Sequence, residues 1–208
     1  MKIAVINEIS AADKNADILK ALDGRGHEVL NLGNTSGKDL HGLLYIHTGL
    51  MSALLLNLKA VDFVVGGCGT GLAYLNAVMQ YPGIFCGHLL TPLDAFLFAS
   101  INAGNCVSLA LNQGYGWAGD VNLRLIFDNL FTPEAGSGYP PHRAEPQRQG
   151  RELLAQISQV THRSMAEILL SLPEDVVHLA LTYLTFRPAL EHAARADTGI
   201  QSALEKIL

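Results

Sequence analysis

The sequence predicts an α/β fold: a three-layer αβα sandwich on a Rossmann-like, five-stranded parallel sheet, followed by a C-terminal helical extension. Three observations carry that expectation. Short β-type apolar runs alternate with helix-type segments through residues 1–131, the pattern of parallel strands joined by crossover helices. A glycine-rich turn, Gly66-Gly67-Cys68-Gly69-Thr70-Gly71, joins one such run to the next helix. With 208 residues, 49% of them apolar, and a net charge of −5, the chain has enough material for one full core.

The elements follow in order. Residues 3–6 form the first strand. Residues 13–22 space Ala16, Ile18, Leu19 and Leu22 as one helical face, ended by Gly24 and Gly26. A second strand spans 28–32 and a polar loop 33–38. Residues 43–58 are apolar and carry no formal charge, but His47, Thr48 and Asn57 interrupt them, and a membrane span needs ~20 residues. They read as a helix buried in the core or in a subunit contact. A third strand covers 61–65, and the glycine turn leads to a helix over 72–80, stopped by Tyr81-Pro82-Gly83. Residues 84–87 are the fourth strand. Pro92 suits a first helical turn, so 92–100 is a helix. A turn at 102–105, a fifth strand at 106–111 and a helix at 116–131 complete the core of 1–131. Residues 132–208 form the extension, within the same domain or crossing to a partner subunit. Residues 132–150 read as irregular, and 151–208 as three or four helical segments broken near Pro173 and Pro188.

Composition excludes several roles. An acidic balance without a basic run argues against a nucleic-acid face. Three cysteines, Cys68, Cys86 and Cys106, are an odd number at no metal-ligand spacing, which implies a reducing, cytoplasmic setting. The start, Met1 to Glu8, is too short and too soon polar for a signal peptide. Neither a membrane nor a cofactor is called for.

Ligands of parallel sheets bind beyond the carboxyl ends of the strands. Those ends carry Asn7-Glu8, Gly33-Asn34, Cys68-Gly69-Thr70, His88 and Asn112. In the turn, glycine lets the backbone bend sharply and aim its amides at one point. Those amides open a helix, where unpaired donors attract negative charge. A cysteine there has a larger thiolate fraction. Cys68 is therefore either a proton-abstracting base beside amides that hold an oxyanion, or a buried, inert thiol. A phosphatase needs an arginine six residues on, where Tyr74 stands, and no Walker A or dinucleotide fingerprint is present. Thr70 caps the next helix or relays a proton. Glu8 is a solvated carboxylate or an acid–base group. Tyr45 and His47 are core polar groups or substrate contacts. Cys86 and His88 are half a metal site without a third ligand. Arg143 and Arg148 are surface charge or partners of an anionic substrate group.

These residues resemble the ribose-5-phosphate isomerase B and galactose-6-phosphate isomerase family over residues 1–151. Cys68-Gly69-Thr70-Gly71 after Val61-Asp62 is the most specific match. Tyr45-Ile46-His47, Pro82-Gly83-Ile84, Asn102 and Asn105 support it. The resemblance implies that Cys68 moves a proton between neighbouring carbons, Thr70 assists and the turn amides stabilise an enediolate. It also implies a homodimer, or a tetramer, whose sites use residues of both subunits. The family's Asp-His after the first strand is Glu8-Ile9 here, and its ring-opening histidine is Ile101. Both losses point to an open-chain substrate without a phosphate. Residues 1–8, 101–105, 114–117 and 138–140 resemble the branch of 4-deoxy-L-threo-5-hexosulose-uronate ketol-isomerases. The resemblance therefore implies catalytic Cys68, Thr70 and Glu8. It implies substrate contacts from Asn7, Tyr45, His47, Gly69, Gly71, Leu72, Ala73, Asn102, Arg143 and Arg148, with no metal. A sugar-phosphate isomerase, a non-catalytic sugar-acid-binding module and an oligomeric scaffold are the alternatives.

Overall fold

The computed structural model describes residues 1–35, 42–194 and 197–208. From Ser36 onward, the polar loop expected at 33–38 lies outside the described residues. Strands β1 (Lys2–Asn7), β2 (Glu28–Asn31), β3 (Phe63–Cys68), β4 (Cys86–Leu89) and β5 (Cys106–Ala110) form one parallel sheet in the order β2-β1-β3-β5-β4. Side chains alternate across a strand. Ile3 and Val5 thus face the layer of α1 (Asn15–Leu22), α4 (Pro92–Leu97) and α5 (Gly119–Phe131). Ala4 and Ile6 face the layer of α2 (Tyr45–Asn57) and α3 (Leu72–Val78). This is the αβα sandwich expected.

The second layer is thicker than the first. α2 is buried nearly all round because the sheet covers one side and the C-terminal helices the other. Those helices are α7 (Met165–Leu169), α8 (Glu174–Thr182), α9 (Arg187–Ala194) and α10 (Thr198–Ile207). Val177, Leu181, Phe186 and Leu190 close over Leu50, Met51 and Leu54 in one apolar cluster. The uncharged sequence of α2 is a core sequence. Among the described residues no helix is long and apolar enough to cross a membrane.

Several boundaries differ from those the sequence suggests, each for a local reason. Gly66 and Gly67 belong to β3, so the turn begins at Gly69. The Tyr74 ring packs against the strand at Gly66, where a Cβ would come within 2.1 Å of its Cζ. The helix at 13–22 divides into a 3-10 segment, Ile9–Lys14, and α1. The helix at 92–100 ends as α4 at Leu97 and continues as a single wide π turn, Phe98–Asn102, with Ala103 left-handed at φ 45°. Irregular chain stops at Pro140: a 3-10 turn, Pro141–Arg143, leads into α6 (Ala144–Thr161). Pro146 sits in the first turn of α6, where its missing amide breaks no bond. Pro188 likewise lies in the first turn of α9 rather than at a break, and Pro173 caps α8. The stretch from 151 onward carries the rest of α6 and four further helices, more than expected.

Candidate active site

β1, β3 and β5 end side by side: Asn7 pairs with Gly67, and Cys68 with Ala110. Beyond them the chain turns through Gly69, Thr70 and Gly71. Gly71 adopts φ +75°, which the alternatives to glycine resist. Every carbonyl of the turn is drawn back into the protein. Cys68 O accepts from Leu111 N at 3.1 Å, and Gly69 O from Asn112 N at 2.8 Å and Gln113 N at 3.1 Å. Thr70 O accepts from His88 Nε2 at 2.9 Å, and Gly71 O from the Ser108 hydroxyl. Peptide planes carry amide and carbonyl on opposite edges, so fastening the carbonyls inward turns the amides outward. The amides that open α3, those of Leu72 and Ala73, have no partner within the helix. Leu72 N reaches Thr70 Oγ1 at 3.4 Å, a weak local cap.

Cys68 ends β3 beneath this turn, on the α2/α3 face of the sheet, 4% exposed and in contact with the apolar cluster. Glu8, the residue after β1, is also buried, at 5% exposure. Its Oε2 accepts from Ser10 N at 2.9 Å and, over a short contact, from the Ser10 hydroxyl. The same hydroxyl accepts from Gly69 N at 3.0 Å. The Gly69 amide is therefore bound to Ser10 and is not free for a substrate oxygen. Asn112 Nδ2 holds Ser10 O at 2.7 Å.

Tyr45 and His47 reach this end because Ile9 N donates to Leu43 O at 3.0 Å, setting the start of α2 beside the end of β1. Tyr45 is exposed. His47 is buried, and its Nδ1 accepts from Leu44 N at 3.0 Å, which leaves the proton on Nε2. Burial holds its pKa below the usual histidine value, against the pull of Asp175. Asn7 lies wholly beneath the turn; its side-chain amide is without exposure and, among the described residues, without a hydrogen-bond partner. Cys86 and His88 serve different neighbours: His88 holds Thr70, whereas Cys86 faces Cys106 across β4 and β5, a thiol contact that, with burial, pushes its pKa up. Among the described residues no group of three metal-ligating side chains converges.

Asn102, Arg143 and Arg148 lie elsewhere. Asn102 closes the π turn before β5, at the amino end of the sheet. The five residues of β5 separate it from the Cys68 end by about 16 Å at ~3.3 Å per residue. There it lines a cleft of about 500 Å³ with Ile101, Gln147 and Arg151. Arg151, which the sequence did not single out, donates to Ile101 O at 2.7 Å and to Gly136 O at 3.4 Å. Arg148 is exposed and bound to Glu145 and Glu152, and Arg143 is exposed at the start of α6. Within one protomer the structure thus gathers Glu8, Tyr45, His47, Cys68, Gly69, Thr70, Gly71, Leu72 and Ala73, and leaves Asn102 and the two arginines at the other end. Ser10, Ser108 and Arg151 are the neighbours that sequence reasoning missed. Only Ser10 carried a signal, a hydroxyl two residues after an acid, the spacing of a local side-chain turn.

A thiol and a carboxylate thus lie beneath outward-turned amides at the carboxyl edge of a parallel sheet, where such sheets bind their ligands. The model of the ribose/galactose isomerase family matches residues 3–122, and the chain belongs to that family. Among solved structures, a 4-deoxy-L-threo-5-hexosulose-uronate ketol-isomerase complexed with a tartrate is 36% identical. The match covers 100% of this chain and 99% of that one, with a TM-score of 0.93. A ribose-5-phosphate isomerase from Vibrio parahaemolyticus is 41% identical over 100% and 97% of the two chains, with a TM-score of 0.89. A ribose 5-phosphate isomerase from Thermotoga maritima, 24% identical over 71% of this chain and 97% of that one, shares the fold with a TM-score of 0.58. Comparison with curated proteins gives no match.

Proposed function

We propose that this isomerase interconverts an aldose and a ketose through an enediolate, with Cys68 as the carbon base and a 4-deoxy-5-keto-uronate as substrate. The observation that carries the reading is the turn from Gly69 to Gly71 that follows Cys68: its carbonyls are all fastened inward, and the amides after that of Gly69, which Ser10 binds, are left outward where α3 begins. The thiolate removes the proton next to the carbonyl, and the amides of Gly71, Leu72 and Ala73 hold the oxygen that gains charge. A positioned base contributes ~10²–10⁴-fold in rate, and one oxyanion donor ~2.7–4 kcal/mol in a well-studied case.

Asn102, Arg143 and Arg148 reach a Cys68 site only if a second copy of the chain brings its amino-end cleft against the turn. A two-fold dimer does this twice over and completes two sites. An acid substrate is supported by Ile9 and Ile101, which supply neither a phosphate contact nor a ring-opening base, and by the tartrate, a hydroxy acid, bound to the related ketol-isomerase. The 41% identity to a ribose-5-phosphate isomerase supports a second reading, a sugar phosphate. Side-by-side assays of ribose 5-phosphate, allose 6-phosphate and the keto-uronate separate the two. Cys68→Ala should abolish turnover with folding intact, and Cys68→Ser should be nearly as poor. Near-wild-type rates in Cys68→Ala would refute the assignment.

A further inference from the structure

From the pairing of Glu8 with Ser10 we infer that Ser10 is a second catalytic residue, carrying protons between the two enediolate oxygens with Glu8 as its reservoir. The inference rests on the isomerase reading above and adds to it the residue that touches the substrate oxygens. Moving a hydrogen from one carbon to the next is half of an aldose–ketose isomerisation. The other half moves a hydroxyl proton from oxygen 2 to oxygen 1, and Cys68, bonded into the carbon chemistry, cannot do both at once.

Three features select Ser10. Its hydroxyl accepts from the amide of Gly69, the residue next to Cys68, at 3.0 Å, so it sits at the mouth of the turn. It donates to Glu8 Oε2, so a proton arriving on Ser10 Oγ displaces one onto the carboxylate. Ser10 is exposed while Glu8 is buried, so the carboxylate is reached through the serine. Thr70 lacks these features: its hydroxyl accepts from Leu72 N at 3.4 Å, and among the described residues no carboxylate is bonded to it.

The step balances without a co-reactant. Cys68 Sγ takes the proton from carbon 2; that C–H electron pair becomes the carbon–carbon π bond of the enediolate, and the carbonyl π pair at carbon 1 moves onto oxygen 1. The proton of oxygen 2 passes to Ser10 Oγ as the serine's own proton passes to Glu8 Oε2; the reverse passage delivers a proton to oxygen 1. The π pair then takes the proton from Cys68 at carbon 1 while a lone pair of oxygen 2 forms the new carbonyl π bond at carbon 2. Serine, glutamate and thiolate end as they began.

The test separates the two halves. Wild type, Ser10→Ala, Ser10→Thr, Glu8→Gln and Cys68→Ala are incubated with the keto-uronate or ribose 5-phosphate, whichever the wild type turns over, in D₂O. Proton NMR follows deuterium entering recovered substrate at carbon 2 and the formation of product. Ser10→Ala and Glu8→Gln should lose ~10²–10⁴-fold of net isomerisation yet still wash deuterium into substrate, because the enediolate forms and returns. Ser10→Thr, which keeps a hydroxyl, should stay within a few-fold of wild type. Ser10 is exposed, so an unchanged melting transition in Ser10→Ala excludes misfolding. Net isomerisation by Ser10→Ala within a few-fold of wild type overturns the inference. So does loss of exchange together with isomerisation, which makes Ser10 a support of the turn rather than a carrier. Turnover or exchange in Cys68→Ala overturns the isomerase reading itself, a distinct failure.

Discussion

Gly71→Ala puts the whole account of the turn at risk, because one methyl group bears on both its backbone and its anchor. Residue 71 adopts φ +75°, and an L-residue there pays about 1–2 kcal/mol for its Cβ. The new Cβ would lie 2.6 Å from His88 Nε2 and 3.1 Å from Leu109 O. The imidazole must swing away, forfeiting its bond to Thr70 O, a loss of ~1 kcal/mol. Together these amount to about 2–3 kcal/mol, or roughly 4–12 °C in Tm for a chain of this size. Urea unfolding at constant m-value measures it. His88→Gly alone should cost ~1 kcal/mol beyond its own backbone effect. Because that bond is already lost, the double variant should fall short of the sum by about the same amount. Turnover should fall in both single variants, since the Thr70 carbonyl is then free to swing and take the neighbouring amide with it. A Gly71→Ala penalty below ~0.5 kcal/mol, or strict additivity with His88→Gly, would refute the view that this carbonyl anchor shapes the turn.

Other expectations follow from the same geometry. If sites are shared between copies, mixing Cys68→Ala with Asn102→Ala protomers should restore roughly a quarter of wild-type activity after random exchange between two-fold dimers; no recovery in subunit-exchange assays counts against sharing. Gly66→Ala would press a Cβ into the wholly buried Tyr74 ring at 2.1 Å, a cost of ~1–3 kcal/mol or more. Adding Tyr74→Leu should return part of that stability in chemical denaturation, and a simple sum of the two losses would contradict the packing. Burial lowers the pKa of His47 and of His27, so the folded state favours neutral rings. Their contribution is complete above the unfolded value of ~6.5 and is lost as pH falls through the lower folded values. Stability should therefore drop on acidification in that window, and His47→Gln should flatten the slope; an unchanged slope speaks against it.

The sheet, its strand count and its helical cover were legible because short apolar runs and helical periodicity record burial directly. Cys68 and its turn were legible because glycines mark a backbone that no other residue follows. What escaped was long-range. Gly66 reads as part of a turn, and only the Tyr74 ring lying on it explains why a strand residue lacks a side chain. His88 looked like half a metal site, whereas its partner is a carbonyl eighteen positions earlier. The distance between Asn102 and Cys68 is invisible in a motif. Both flank the same sheet, but one precedes its strand and the other ends its neighbour.

The C-terminal helices lie over α2 from the same chain. Leu50, Met51, Leu54 and Leu55 are enclosed before any second copy arrives. Cutting the chain after residue 131 would therefore not trim an ornament but uncover an oily helix and invite clumping. Elsewhere the chain does leave apolar ground bare: the aliphatic stripe of α6 turns Leu153, Leu154, Ile157 and Val160 to solvent.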